Sequence, residues 1–203
     1  ARNSNPEVIT TLLKAGASVN DRDRDGWTPL MYATGNSNSD VITALLKAGA
    51  SVNDRDDDGW TPLMMAAAFN NNPEVVTTLL KAGASVNDRD DGMTPLMYAS
   101  FNSNPEVITT LLKAGASVND RDRDGWTPLM YATGNSNSDV ITALLKAGAS
   151  VNDRDDDGWT PLMYAGRYNR NPEVITVLLK AGASVKDRTD YGGTPLMMVE
   201  WLP

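Results

Sequence analysis

Histidine and cysteine are absent from this 203-residue chain, and phenylalanine occurs only twice. Without the first two, no Ser-His or Cys-His nucleophile pair, no thiolate and no imidazole or thiolate metal centre can be built. Disulfides are impossible, so cysteine usage says nothing of the redox compartment. Positive charge is in deficit, with 18 Lys+Arg against 26 Asp+Glu and a net charge of -8. That balance argues against binding DNA or an anionic membrane through bulk electrostatics. No apolar run approaches the roughly 20 residues needed to span a bilayer. The opening ARNSNPEVIT has no apolar core of the secretory kind and no initiating Met, as expected of an internal piece of something longer. These absences lead us to expect a soluble, non-enzymatic chain with no cofactor and no metal, and they favour a cytoplasmic setting.

What the chain does contain is repetition. Thr-Pro-Leu begins at Thr28, Thr61, Thr94, Thr127, Thr160 and Thr194, four times at a spacing of 33 and once at 34. The words Leu-Leu-Lys-Ala-Gly-Ala-Ser-Val recur from Leu12, Leu45, Leu79, Leu111, Leu144 and Leu178. A fixed period of this size is the signature of stacked units that share one core. The units run 1–27, 28–60, 61–93, 94–126, 127–159, 160–193 and 194–203, in a single domain over 1–203. Five are complete, and half a repeat stands at each end.

Each unit reads as two short helices and a turn. Thr28 suits an N-cap, and Pro29 suits the first helical position, where its missing N–H costs nothing. The spacing predicts a first helix from Pro29 to about Thr34, broken by Gly35, Asn36 and Ser37. A second helix starts at an Asn cap (Asn5, Asn38, Asn72, Asn104, Asn137, Asn171) with a carboxylate in its first turn, where the helix dipole favours it. Val41, Ile42, Leu45 and Leu46 have helical spacing, and Gly49 suits a left-handed C-cap. Asn53 to Trp60 is Asp-rich and reads as an extended turn, a finger.

The chain resembles the ankyrin repeat family, on Gly59-Trp60-Thr61-Pro62-Leu63 through Leu79-Leu80-Lys81-Ala82-Gly83-Ala84-Ser85-Val86-Asn87 and its copies. The resemblance implies an all-α solenoid of helix-turn-helix units with β-turn fingers, and binding of a protein through the concave face lined by fingers and inner helices. One departure is systematic. The family's His after Thr-Pro-Leu is Met here, at Met31, Met64, Met97, Met130, Met163 and Met197. The inter-repeat hydrogen bonds of that His must be absent, with adaptable Met packing in their place. Neither end has an obvious polar cap, so exposed stacking faces and end-to-end self-association are expected.

Charge is concentrated on the fingers. Segments 20–25, 53–58, 87–91, 119–124, 152–157 and 186–190 carry -1, -3, -2, -1, -3 and 0. Family analogy makes Asp23, Asp56, Asp122 and Asp155, with Asp90 in a finger one residue shorter, turn-stabilising residues, which suits Asp chemistry. A rival reading is calcium binding: Asp21-Arg-Asp23-Arg-Asp25-Gly26 and its copies match the first half of a calcium loop. The closing Glu is missing, because Tyr32, Met65, Tyr131 and Tyr164 stand there.

Before successive Thr-Pro-Leu words sit Trp27, Trp60, Met93, Trp126, Trp159 and then Gly193, and four residues after the Thr come Tyr32, Met65, Tyr98, Tyr131, Tyr164 and then Met198. Two readings of this stripe compete. The aromatic side chains pack between neighbouring repeats, or they face a partner, since Trp and Tyr are enriched at interface hot spots. The second is preferred, because a turn offers an indole little core. The expected contact set is then Trp27, Trp60, Met93, Trp126 and Trp159 with Tyr32, Tyr98, Tyr131 and Tyr164. Arg24, Asp25, Asp57, Asp58, Arg123, Asp124, Asp156 and Asp157 flank them, and Phe69, Phe101, Arg167 and Tyr168 vary between repeats at the end of the inner helix. Acid beside aromatic favours a basic protein or peptide, through charge pairing and cation–π contact.

Residues 3–64 are identical to 102–163, an offset of 99. Such identity implies recent duplication or deliberate construction. An engineered or structural scaffold with no evolved partner is therefore the alternative to an interaction module.

Overall fold

The computed structural model describes residues 5–135 and 137–200. The outermost residues of the first and last units, 1–4 and 201–203, and Ser136 lie outside the described residues. The helices are α1 (Pro6–Lys14), α2 (Pro29–Ala33), α3 (Ser39–Lys47), α4 (Pro62–Phe69), α5 (Pro73–Lys81), α6 (Pro95–Ala99), α7 (Pro105–Lys113), α8 (Pro128–Ala132), α9 (Ser138–Lys146), α10 (Pro161–Tyr168), α11 (Pro172–Lys180) and α12 (Pro195–Glu200). Among the described residues there is no strand, only an isolated bridge between Asp90 and Met93.

Local chemistry sets the helix ends. At the inner helices Thr28 Oγ1 accepts from Met31 N at 3.3 Å, and Thr61 and Thr94 do the same for Met64 and Met97. The Met that stands in place of His completes a reciprocal cap, since its sulfur accepts from the Thr28, Thr94 and Thr127 N–H at 3.4 Å. A buried N–H with no partner would be costly, and sulfur is a weak but adequate acceptor. The Met side chains also fill the core, with Met31, Met64, Met97, Met130 and Met163 all nearly inaccessible. Each outer helix opens on an Asn whose Oδ1 accepts an N–H two residues on, as Asn104 does from Glu106 at 2.9 Å. It closes on glycine: Gly49 takes φ 91°, while Ala50 N donates to Leu45 O at 3.0 Å. Only a residue without a Cβ adopts that conformation cheaply.

Stacking then supplies what one unit lacks. Outer helices α1, α3, α5, α7, α9 and α11 pack each on the next, and the inner helices do likewise. The core runs through Leu30, Ile42, Leu63, Leu79, Leu96, Ile108, Leu129 and Leu144 without interruption. Asparagines stitch the layers. Asn20 donates to Gly49 O at 3.1 Å and accepts from Ser51 N at 2.9 Å, a pattern repeated from Asn53, Asn87, Asn119 and Asn152. On the inner side Asn70 reaches back to Thr34 O and Asn36 O.

Two inner helices are longer than the rest. Thr-Gly after Tyr-Ala stops α2 and α8 at five residues, whereas Ala-Ala-Phe and Gly-Arg-Tyr carry α4 and α10 to eight. The extra turn presents Phe69 and Tyr168.

Candidate binding face

The fingers are built around one carboxylate each. Asp122 Oδ1 accepts from Asp124 N at 3.0 Å and Trp126 N at 2.8 Å, and Asp23, Asp56 and Asp155 repeat both bonds. The second oxygen receives the tyrosine of the inner helix. Tyr32 donates to Asp23 Oδ2 at 2.5 Å and Tyr98 to Asp90 Oδ2 at 2.8 Å, while Tyr131 and Tyr164 donate to Asp122 and Asp155. The shorter finger keeps the tyrosine bond but closes through its backbone, with Met93 N donating to Asp90 O at 2.8 Å and Asp91 at φ 47°. In the last finger Thr189 replaces Asp and accepts from Gly193 N at 3.0 Å.

These bonds leave electrostatic traces. The Tyr32 hydroxyl, followed by the Trp27 N–H, holds the Asp23 carboxyl below its usual range. Burial, then the hydrogen bond to the facing aspartate, pushes Tyr98, Tyr131 and Tyr164 well above the ordinary phenol range.

Arginines tie each finger to the next. Arg55 donates to Gly59 O at 2.8 Å and Arg89 O at 3.0 Å, and Arg89 to Arg121 O at 2.9 Å. Arg55 also pairs with Asp88 at 2.9 Å and Arg89 with Asp120 at 2.8 Å. The fingers therefore form a hydrogen-bonded ridge and do not stand as independent loops. Their aspartates do not converge on a centre: among the described residues no group of three or more acids could hold a metal ion.

Ring packing joins fingers to inner helices across repeat boundaries. Trp60 lies 4.3 Å from Tyr98, 38 residues on, and stacks on Phe69 at 5.7 Å and 7°. Trp126 lies between Tyr131 at 5.1 Å and Tyr164, one inner helix further on, at 4.2 Å. Phe101 meets the edge of Tyr131 at 5.2 Å. Arg167 covers Trp159 at 5.8 Å and Tyr168 at 5.2 Å.

Family models described as ankyrin repeats, in three-copy form, match residues 1–90, 53–122 and 86–155, and a many-copy form matches 144–198. The chain belongs to the ankyrin repeat family. The crystal structure of the human ASB11 ankyrin repeat domain is similar to it, with a TM-score of 0.87 and 29% identity over 96% of this chain and 87% of that one. A search of curated proteins finds no match. No helix among the described residues is long and apolar enough to cross a membrane.

Within this ankyrin solenoid the expected contact residues divide. Phe69, Phe101 and Tyr168 are 72%, 57% and 59% exposed, and Arg24, Asp25, Asp57, Asp58, Arg123, Asp124, Asp156 and Asp157 are exposed too. Tyr32 is exposed, whereas Trp27, Trp60, Met93, Trp126, Trp159, Tyr131 and Arg167 are half-buried. Tyr98 and Tyr164 require a correction: at 7% and 6% exposed they offer a partner almost nothing. Their rings pack under Trp60 and Trp126 and their hydroxyls are taken by aspartates. The stripe is thus largely inter-repeat packing. The pairing of finger Asp and Arg residues between adjacent fingers was open to sequence reasoning; the methionine sulfur cap was missed.

Proposed function

We propose that the chain is an interaction scaffold that binds a partner protein or peptide along the face made by its fingers and inner helices. Ankyrin repeats are generally protein–protein interaction modules, and the observation that carries the reading here is the placement of Phe69, Phe101 and Tyr168. Each projects more than half exposed while its ring rests on a deeper aromatic, Trp60, Tyr131 or Tyr164. Rings held this way are anchored before any ligand arrives, so contact with them needs little ordering entropy. The fingers alongside are acidic, so a basic segment is the partner whose charge complements the face.

The 62-residue internal identity supports a second reading, a scaffold with no evolved partner. Selection of a displayed random-peptide library on the chain separates the two. The proposal expects enrichment of basic peptides, and F69A with F101A should weaken the best of them at least tenfold, with the circular-dichroism spectrum unchanged. No enrichment, or unchanged affinity in the double variant, overturns it.

A further inference from the structure

The duplicated stretch presents the same finger pair twice, and the two copies differ in what surrounds them. In the first, Asp25, Trp27, Tyr32, Asp57 and Asp58 line a cavity of ≈ 520 Å³. Asp25, Asp57 and Asp58 are in no ion pair among the described residues. Asp57 is fixed against the first finger: its N–H donates to Asp25 O at 3.1 Å. Its carboxylate lies so close over Gly26 that a Cβ there would meet it at 2.5 Å. The second copy has the same acids at Asp124, Asp156 and Asp157, yet there Tyr164 packs 4.2 Å from Trp126 and Phe101 sits on Tyr131. In the first copy the position of Tyr164 is taken by Met65, which is unable to supply that ring.

The molecule also shows what fits beside such a tryptophan. Eight residues after Trp159, Arg167 places its guanidinium 5.8 Å from the indole centroid. Eight residues after Trp27 stands Gly35, and eight after Trp126 stands Gly134, so neither of these tryptophans has a guanidinium from that position. A guanidinium suits the cavity on three counts. It is flat and stacks on an aromatic face, it has five donors in a fixed fork, and it is weakly hydrated for a cation. Carboxylates on both fingers supply acceptors and charge.

We infer that the cavity between Trp27 and Asp57 receives an arginine side chain of the bound partner, and that its sequence-identical counterpart at Trp126 does not. The inference rests on the proposed binding face and names the residue read at one end of it.

Titration of the wild-type chain with the tripeptide Ac-Gly-Arg-Gly-NH2, followed through the five indole N–H resonances, tests it. The Trp27 resonance should shift saturably, at least threefold further than that of Trp126. The citrulline tripeptide, and NaCl at matched ionic strength, should leave it in place. D57N/D58N should weaken the arginine tripeptide about fivefold or more. M65Y should close the first site, while Y164M should transfer a saturable shift to Trp126. Equal shifts at Trp27 and Trp126, or an equal response to citrulline, overturn the inference. A library-selected peptide that binds the wild type and D57N/D58N alike also overturns it, while leaving the binding face intact. A saturable Trp27 shift in a chain that enriches no library peptide supports the pocket and overturns the wider scaffold reading.

Discussion

Residues 3–64 and 102–163 are the same sequence in two places, and the environments differ. Helix α1 and helix α7 both read PEVITTLLK with the same Asn cap and the same terminal Lys. Yet α1 buries none of its residues, whereas α7 buries Val107, Ile108 and Leu111 completely. The difference comes from the neighbours. Helix α7 is packed between α5 and α9 and against its inner helix α6, while α1 packs on α3. The same holds in the proposed binding face, where Tyr32 is 49% exposed and Tyr131, under Phe101, is half-buried. Local sequence decides that a helix or finger forms. The adjoining unit decides how much it contributes, as expected when stability sums over repeats and their interfaces.

Matched substitutions put numbers on this comparison. The largest effect belongs to the leucine at identical positions of the two helices. Leu111→Ala removes a fully buried side chain and should cost about 2–5 kcal/mol. Leu12→Ala, at a position 55% exposed, should stay within about 0.5 kcal/mol. Urea denaturation of the two variants checks it, and similar losses would mean that stacking between units contributes less than local helix formation.

A smaller difference is expected at the tyrosine–aspartate bonds. Tyr164→Phe leaves a buried Asp155 oxygen without its donor and should cost about 1–3 kcal/mol. Tyr32→Phe leaves the exposed Asp23 to water and should cost less than half as much. Alkaline titration reads the same contrast without mutation. Tyr98, Tyr131 and Tyr164 have folded-state pKa values raised above the unfolded value, so their contribution is fully present below about pH 10. It is lost as pH rises through the raised values. Their phenolate absorbance near 295 nm should therefore appear together with unfolding and not before it.

The smallest effect is acid-side. Asp23 has a folded pKa below its unfolded 3.8. Its contribution is present above that value and disappears as pH falls through the folded one. Asp23→Asn should therefore lower neutral stability slightly and flatten the acid limb of the stability curve, as urea midpoints measured across the acid range would show.

Much of the fold was legible because its signals are local. Thr-Pro at a helix start, Asn two residues before a carboxylate, and Gly at the outer C-cap each act within a few residues, and six repetitions reinforce them. The turn role of Asp23 and its copies was legible for the same reason. The candidate binding face was harder. Whether Trp60 meets a partner or a neighbour depends on Tyr98, 38 residues on, and no periodicity within one unit reveals that distance of 4.3 Å. The length of α4 and α10 was also missed. It follows from Ala67-Ala68 and Gly166-Arg167 in place of Thr34-Gly35 and Thr133-Gly134, at the point where the copies vary most.

Native-state hydrogen exchange at Leu12 and Leu111 is the most direct test of the claim that neighbours, not local sequence, set the environment of each copy. The two amides have identical flanking sequences, so intrinsic exchange rates cancel. Protection at Leu111 should exceed that at Leu12 by at least a hundredfold, because opening α7 must break its packing on α5, α6 and α9, whereas α1 packs on α3. Equal protection at the two sites would contradict the account.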